Sequence, residues 1–359
     1  MTRGLVRSVL IVDDSAFMRK LTAEMIDAHP DFCVAGFARD GVDAMAQLQR
    51  LNPDIVTLDL EMPGLDGLDV LQRIMRQSPV PVIVLSAAGA QYGDATLRAL
   101  ELGAVDFVRK PSGPVSLDLP IIRDRLIAAL GAAGRARLSI PSSGASGVVV
   151  TAPLAPVPQR AAQHVVVVAS STGGPRALNE VIPLLPATLG AAVVIAQHLP
   201  CEFTAALASR LARASAINVC EVTDGCALRA GTVYIARGGM NTAISGVIGD
   251  ATLRQQAPDR RGGVTPNADV LFESAMRVFG PESTGVVLTG MGRDGSAGLR
   301  MIRSVGGRAI VQDESSSAIY GMPRAALAEA GADRVASLSM MASAITSMVP
   351  KERLEWLTA

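Results

Sequence analysis

The sequence predicts an α/β protein with two domains. The first is a doubly wound, five-stranded parallel sheet; the second is a doubly wound, mostly parallel sheet with a β-hairpin. Three observations carry this prediction. Short apolar runs alternate with helical repeats through both halves, the pattern of buried parallel strands joined by crossover helices. The length, 359 residues, suits two domains that each bury a core. Between them the composition breaks: residues 139–160 hold four Ser, four Pro and two Gly, and residues 131–160 hold three Arg and no acid. Such a stretch cannot pack a core and is expected to be an extended linker. The chain therefore divides into 1–130, a linker over 131–160, and 161–359.

In the first half the apolar runs Val9–Val12, Cys33–Phe37, Ile55–Leu58, Val82–Leu85 and Ala104–Val108 predict five strands. Helical periodicity predicts Ala16–Ala28, Val42–Leu51, Leu68–Met75, Tyr92–Leu102 and Leu119–Leu130 between and after them. In the second half, His164–Ala169 is a strand running into a Gly-Gly-Pro helix start, and Ala191–Ala196 is a strand ending at Gln197-His198. Thr232–Ala236 and Ala243–Ile248 are the expected hairpin. Asn267–Phe279 and Ser296–Val305 are helices, and Gly285–Thr289 and Arg308–Val311 are buried strands.

Composition excludes several functions. Lys+Arg and Asp+Glu are both 33 and aromatics are 3%, so neither a nucleic-acid backbone grip nor a base-stacking platform is expected. The first half carries 13 basic and 17 acidic residues, the rest 20 and 16, opposite in sign but small. No run of 18 apolar residues occurs, and the N-terminus lacks a signal-peptide pattern, so a cytoplasmic protein without membrane insertion is expected. Cys33, Cys201, Cys220 and Cys226 form no CxxC pair and are expected to be buried thiols.

Function in doubly wound sheets gathers at the carboxyl ends of the strands. There the first half places Asp13-Asp14, Asp59, Ser86 and Lys110. Crowded carboxylates are costly unless a cation neutralises them, and an all-oxygen cluster suits Mg²⁺. The chemistry suggested is phosphoryl transfer to Asp59, with Ser86 and Lys110 as partners of the phosphoryl oxygens. The alternative is Asp residues that cap the following helices. The segments LIVDDSAFMRK, DIVTLDLEMPGLDGLDVL, VPVIVLSA and GAVDFVRKP make residues of about 5–130 resemble the receiver domain of response regulators. The resemblance implies phosphorylation of Asp59 by a histidine kinase. It also implies Mg²⁺ held by Asp13, Asp14, Asp59 and the Glu61 carbonyl, Phe107 as the switch aromatic, and a cis bond before Pro111.

In the second half, Ser170-Ser171-Thr172-Gly173-Gly174-Pro175 follows a strand and opens a helix. This is close to the elbow that exposes a serine nucleophile, with helix N–H groups available to an oxyanion. Phosphate binding or a plain turn would use the same glycines. A serine needs a base, and of the three histidines His198 ends the neighbouring strand; His164 begins a strand and His29 ends a first-half helix. Asp294, in a Gly-rich turn after Gly285–Thr289, is the candidate to orient His198, or else caps a helix. The segments SSTGGPRAL, IAQHLP, NADVLFESAM, VVLTGMGRDGSAGLR and IVQDESSSAIYGMPRAA make residues of about 163–346 resemble the catalytic domain of chemotaxis protein-glutamate methylesterases.

That resemblance implies hydrolysis of glutamyl methyl esters on chemoreceptor helices and deamidation of receptor glutamines, with no cofactor in this half. It puts Ser171, His198 and Asp294 at triad positions, and Ser170, Thr172 and the Met291 backbone at substrate and oxyanion contacts. Ala169, Arg237 and Asn241 depart from the residues usual in the family. Two rival outputs are a binding module on an inactive hydrolase fold and a nucleotide-binding site on the Gly-Gly turn. The intact Ser/His/Asp set speaks against the first and the missing P-loop lysine against the second.

Overall fold

The computed structural model describes residues 6–63, 66–86, 93–111, 118–137, 160–258 and 263–350. Of the expected linker over 131–160, residues 138–159 lie outside the described residues, as does the expected helix start at Tyr92; residues 131–133 end a helix that begins at Leu119, because their alanines continue its buried face. The chain forms two compact units, Met1–Gly144 and Ala145–Ala359.

The first unit runs β1 (Arg7–Val12), α1 (Ala16–Asp27), β2 (Phe32–Ala38), α2 (Gly41–Leu51), β3 (Ile55–Asp59), α3 (Gly67–Gln77), β4 (Val82–Ser86), α4 (Gly93–Glu101), β5 (Asp106–Arg109) and α5 (Leu119–Ala133). The strands pair in parallel in the order β2-β1-β3-β4-β5. Val9–Val12 are completely buried, as are Ile55, Val56 and Leu58, because helices cover both faces of these central strands. Each such side chain contributes about 1.5–3 kcal/mol by leaving water. Ser15, Asp40 and Asp66 accept hydrogen bonds from the first-turn N–H groups of α1, α2 and α3, which fixes where each helix starts. The strand order reverses between β1 and β3, so the loops after them flank one crevice.

The second unit runs β6 (His164–Ser170), α6 (Gly174–Val181), β7 (Ala191–Gln197), α7 (Cys201–Ala214), β8 (Asn218–Glu221), β9 (Thr232–Ile235), β10 (Asn241–Ser245), β11 (Thr252–Gln256), α8 (Ala268–Phe279), β12 (Ser283–Val287), α9 (Ser296–Ser304), β13 (Arg308–Gln312), α10 (Met322–Ala330), β14 (Arg334–Ala336) and α11 (Leu338–Met348). Seven strands form a parallel sheet in the order β14-β13-β12-β6-β7-β9-β8. Its order reverses at β6, between β12 and β7. One face is packed by α8, whose Leu271, Phe272 and Phe279 join Val165 and Val167 of β6 in one buried cluster.

Several expectations are corrected. The hairpin exists, but it pairs β10 with β11, and β9 lies in the parallel sheet between β7 and β8. All four residues of β9 are buried, which suits a strand covered on both faces. The expected extension of β10 to Ile248 stops at Ser245, where Gly246 turns the chain at φ +103°. The cis peptide among the described residues is Thr265–Pro266; the bond before Pro111 keeps the trans form that X–Pro bonds favour by about 0.5–1 kcal/mol. Cys33, Cys201 and Cys220 are exposed free thiols rather than buried ones. Cys33 and Cys220 sit on the edge strands β2 and β8, and Cys201 opens α7.

Candidate functional site

In the first unit, β1 and β3 deliver Asp13 and Asp59 to the crevice between them, both almost fully buried. Asp14 lies beside them, exposed, and one carboxylate oxygen from each of the three falls within 4.8 Å of the others. Lys110, from the end of β5, sets its Nζ 3.0 Å from Asp13 Oδ2 and 2.5 Å from Asp59 Oδ2. The ammonium thus bridges the two buried carboxylates. Asp59 Oδ1 accepts the Glu61 N–H at 3.0 Å.

Burial pushes the Asp59 carboxyl up to about 6, against the lowering effects of Lys110 and of the Glu61 N–H. Burial pulls the Lys110 ammonium down, but its bonds and attraction to Asp59 and Asp13 outweigh that and raise it. The two expected switch residues Ser86 and Phe107 are both buried. Ser86 is buried and shares a 2.7 Å hydrogen bond with Thr96 Oγ1. Phe107, on β5, is already buried at 4% exposure.

In the second unit, β12, β6 and β7 are neighbours, and their carboxyl ends carry Asp294, Ser171 and His198. The register pairs Ser170 with Gln197, so Ser171 and His198 are the next residues of adjacent chains. His198 Nε2 lies 2.7 Å from Asp294 Oδ2. That same oxygen accepts the Ala268 N–H at 2.7 Å, while Oδ1 accepts the Asp269 N–H at 3.1 Å and the Gly295 N–H at 3.0 Å. Asp294 is thus both the partner of His198 and the anion at the N-terminus of α8, a different helix from the one its sequence position suggests it could cap. No hydrogen bond joins Ser171 Oγ to His198; such contacts often tighten when substrate binds. His164 is occupied at the far end of β6, where its Nδ1 lies 2.7 Å from Glu282.

The turn around Ser171 is held by neighbours on both sides. Ser171 N–H donates to the Thr289 carbonyl at 3.1 Å, and Thr289 Oγ1 lies 3.0 Å from the Thr172 carbonyl. Gly290 approaches so closely that a Cβ there would lie 2.8 Å from Ser171 Cβ and 2.3 Å from Met322 Sδ. α6 begins at Gly174 with no side-chain cap, so its positive end is turned to this loop. Met291 is exposed, and Thr172 is buried. Ser170, expected near substrate, instead points inward and donates to Gln197 Oε1 at 2.6 Å.

The departures also find places. Asn241 is buried and its Oδ1 accepts the N–H of Asn267, the residue that caps α8. The Ala169 methyl occupies space left by Gly295, whose added Cβ would lie 3.0 Å from it. Arg237 is exposed at the carboxyl end of β9. Sequence reasoning missed Gln197 and Gln312, both buried at strand ends. Their one signal is a polar residue at the end of an apolar run.

Comparison with known proteins agrees with this division. Residues 166–345 match the family described as CheB methylesterase, and residues 9–121 match the response regulator receiver domain. A protein-glutamate methylesterase/protein-glutamine glutaminase of Symbiobacterium thermophilum is 42% identical over 356 residues, covering 95% of this chain and 96% of that protein. One from Bacillus subtilis is 39% identical over 354 residues, covering 96% and 99%. The crystal structure of the Thermotoga maritima CheB methylesterase catalytic domain superposes with a TM-score of 0.50 at 34% identity, covering 52% of this chain and 98% of that one.

Proposed function

The chain belongs to the CheB methylesterase family, in the form that carries a response-regulator receiver domain, and from that premise we propose how its residues divide the work. It is a receiver-regulated protein-glutamate methylesterase and protein-glutamine glutaminase. The receiver is assigned to residues 1–130, the linker to 131–160 and catalysis to 161–359. The substrates are glutamyl methyl esters and glutamines on the cytoplasmic helices of methyl-accepting chemoreceptors, and the phosphodonor is the histidine kinase of the same array. Among the described residues no helix is long and apolar enough to cross a membrane.

The observation that carries the reading is the 2.7 Å contact of His198 Nε2 with Asp294 Oδ2 at the strand end beside Ser171. Asp294 already accepts three backbone N–H bonds and can only accept from the ring, so the ring proton sits on Nε2 and Nδ1 is left as the base. Ser171 Oγ attacks the ester carbonyl carbon while His198 Nδ1 takes its proton. The tetrahedral oxyanion is held by backbone N–H groups around Thr172 and Met291. Return of the proton from His198 expels methanol, or ammonia from a glutamine, and leaves an acyl-Ser171. Water, deprotonated by His198, then releases the glutamate carboxylate and restores the serine.

In the receiver, the all-oxygen cluster of Asp13, Asp14 and Asp59, with one carboxylate oxygen of each within 4.8 Å of the others, fits a hard divalent cation. Asp13, Asp14, Asp59 and the Glu61 carbonyl would hold Mg²⁺, which when bound neutralises the charge of the incoming phosphoryl group. Asp59 supplies the attacking oxygen, and Lys110 is placed to pair with the phosphoryl oxygens. Ser86 reaches that group by giving up its bond to Thr96. A serine-directed phosphonate should label Ser171 stoichiometrically, and Ser171→Ala should abolish both labelling and ester hydrolysis. Labelling of another residue with activity intact would refute the assignment.

A further inference from the structure

We infer that Gln197 is a positioning residue that sets the spacing between the nucleophile and its base. The inference rests on the Ser171/His198 reading above. The β6–β7 ladder ends at the pair Ser170 and Gln197, closed by the His198 N–H on the Ser170 carbonyl at 3.0 Å. Past that point the backbones part. Ser171 turns to the opposite neighbour and donates to the Thr289 carbonyl, and its own carbonyl caps the tight turn to the Gly174 N–H. The two catalytic residues would thus stand on chain ends no longer bonded to each other.

Gln197 closes the gap. Its Nε2 donates to the Ser171 carbonyl at 3.0 Å and to the His198 carbonyl at 3.2 Å, and its Oε1 accepts from Ser170 Oγ at 2.6 Å. One planar amide, 1% exposed, therefore grips both catalytic residues and the residue before the nucleophile. Both of its N–H groups and its oxygen are used, so it is not an orphaned polar group tolerated by the core. An aliphatic side chain would fill the same space without linking the two strand ends. The turn also keeps room for it: a Cβ on Gly174 would fall 1.9 Å from Gln197 Oε1. Gly174 is the first residue of α6, where alanine is otherwise favourable, so the missing methyl answers to the amide.

Displacements of about 1 Å in a catalytic pair cost about 10²-fold in rate, whereas loss of a scaffold contact lowers the amount of folded enzyme. The test separates the two. Methanol release from methylated receptor membranes is measured with the full-length protein and a phosphodonor, and active sites are counted by phosphonate labelling taken to completion. Gln197→Met removes the hydrogen bonds at similar volume; Gly174→Ala keeps every hydrogen-bonding atom but displaces the amide. Each should lower kcat per counted site by about fivefold or more, with KM within about twofold. A smaller loss, a loss carried by KM, or failure of both variants to fold by circular dichroism would overturn the inference. Ser171→Ala runs alongside: if it kept the native rate, the nucleophile assignment would fall, independently of Gln197.

Discussion

Asp294 carries two loads with one carboxylate, and this shapes what its loss should do. Asp294→Ala should remove the His198 anchor and also leave the first N–H groups of α8 uncapped. We expect a stability loss of about 1–2 kcal/mol, read by denaturant titration, on top of a rate loss. Ser171→Ala and His198→Ala should instead lower ester hydrolysis by about 10³-fold or more with little change in stability. Asp59 offers a pH test in the metal-free protein. Its folded carboxyl titrates near 6, above the 3.8 of the unfolded chain, so between those values the folded state holds a proton that the unfolded state has lost. Stability therefore falls as pH rises through that window. Asp59→Asn, which cannot ionise, should melt higher than the native protein at pH 7 in the presence of a chelator, and the two should converge below about pH 4. Native protein melting higher at pH 7 would contradict the account.

The turns at the carboxyl ends of β6 and β12 are built by glycines that let backbones meet. Gly290→Ala would drive a methyl against Ser171 Cβ and Met322 Sδ. It should cost about 1–3 kcal/mol and displace the nucleophile, so thermal stability and kcat should fall together. The elements of the first unit were legible because β1, β3 and β4 are continuous apolar runs covered on both faces. So were β6, β7, β12 and β13. What stayed hidden were short or polar strands: β14 has three residues, β8 is an exposed edge, and β11 reads Thr-Leu-Arg-Gln-Gln with one buried side chain. Without β11 in view, β9 was the nearest partner for β10, although its fully buried pattern belongs to the parallel sheet. The strand-end acids, Ser171 and His198 were legible because chemistry and position agree there. Gln197, Gln312 and the inward turn of Ser170 were not, since a lone buried amide leaves no spacing or periodicity behind.

At the scale of the whole chain, the proposed phosphoacceptor Asp59 and the proposed nucleophile Ser171 lie on separate compact units of one polypeptide. Phosphorylation of Asp59 adds about −1.5 to −2 charges in a crevice where Lys110 already bridges two acids and Ser86 is tied to Thr96. On the phosphorylation proposed for Asp59, repartnering of Lys110 and Ser86 would be the local event from which regulation starts. The most direct test of the central claim is methanol release from methylated receptors by the full-length protein, with and without Mg²⁺ and a small phosphodonor. The native chain should respond with a severalfold faster rate, and Asp59→Asn should stay at the basal rate under both conditions. Ser171→Ala should release methanol under neither. Stimulation of Asp59→Asn by the phosphodonor, or more than about a tenth of the native rate from Ser171→Ala, would contradict it.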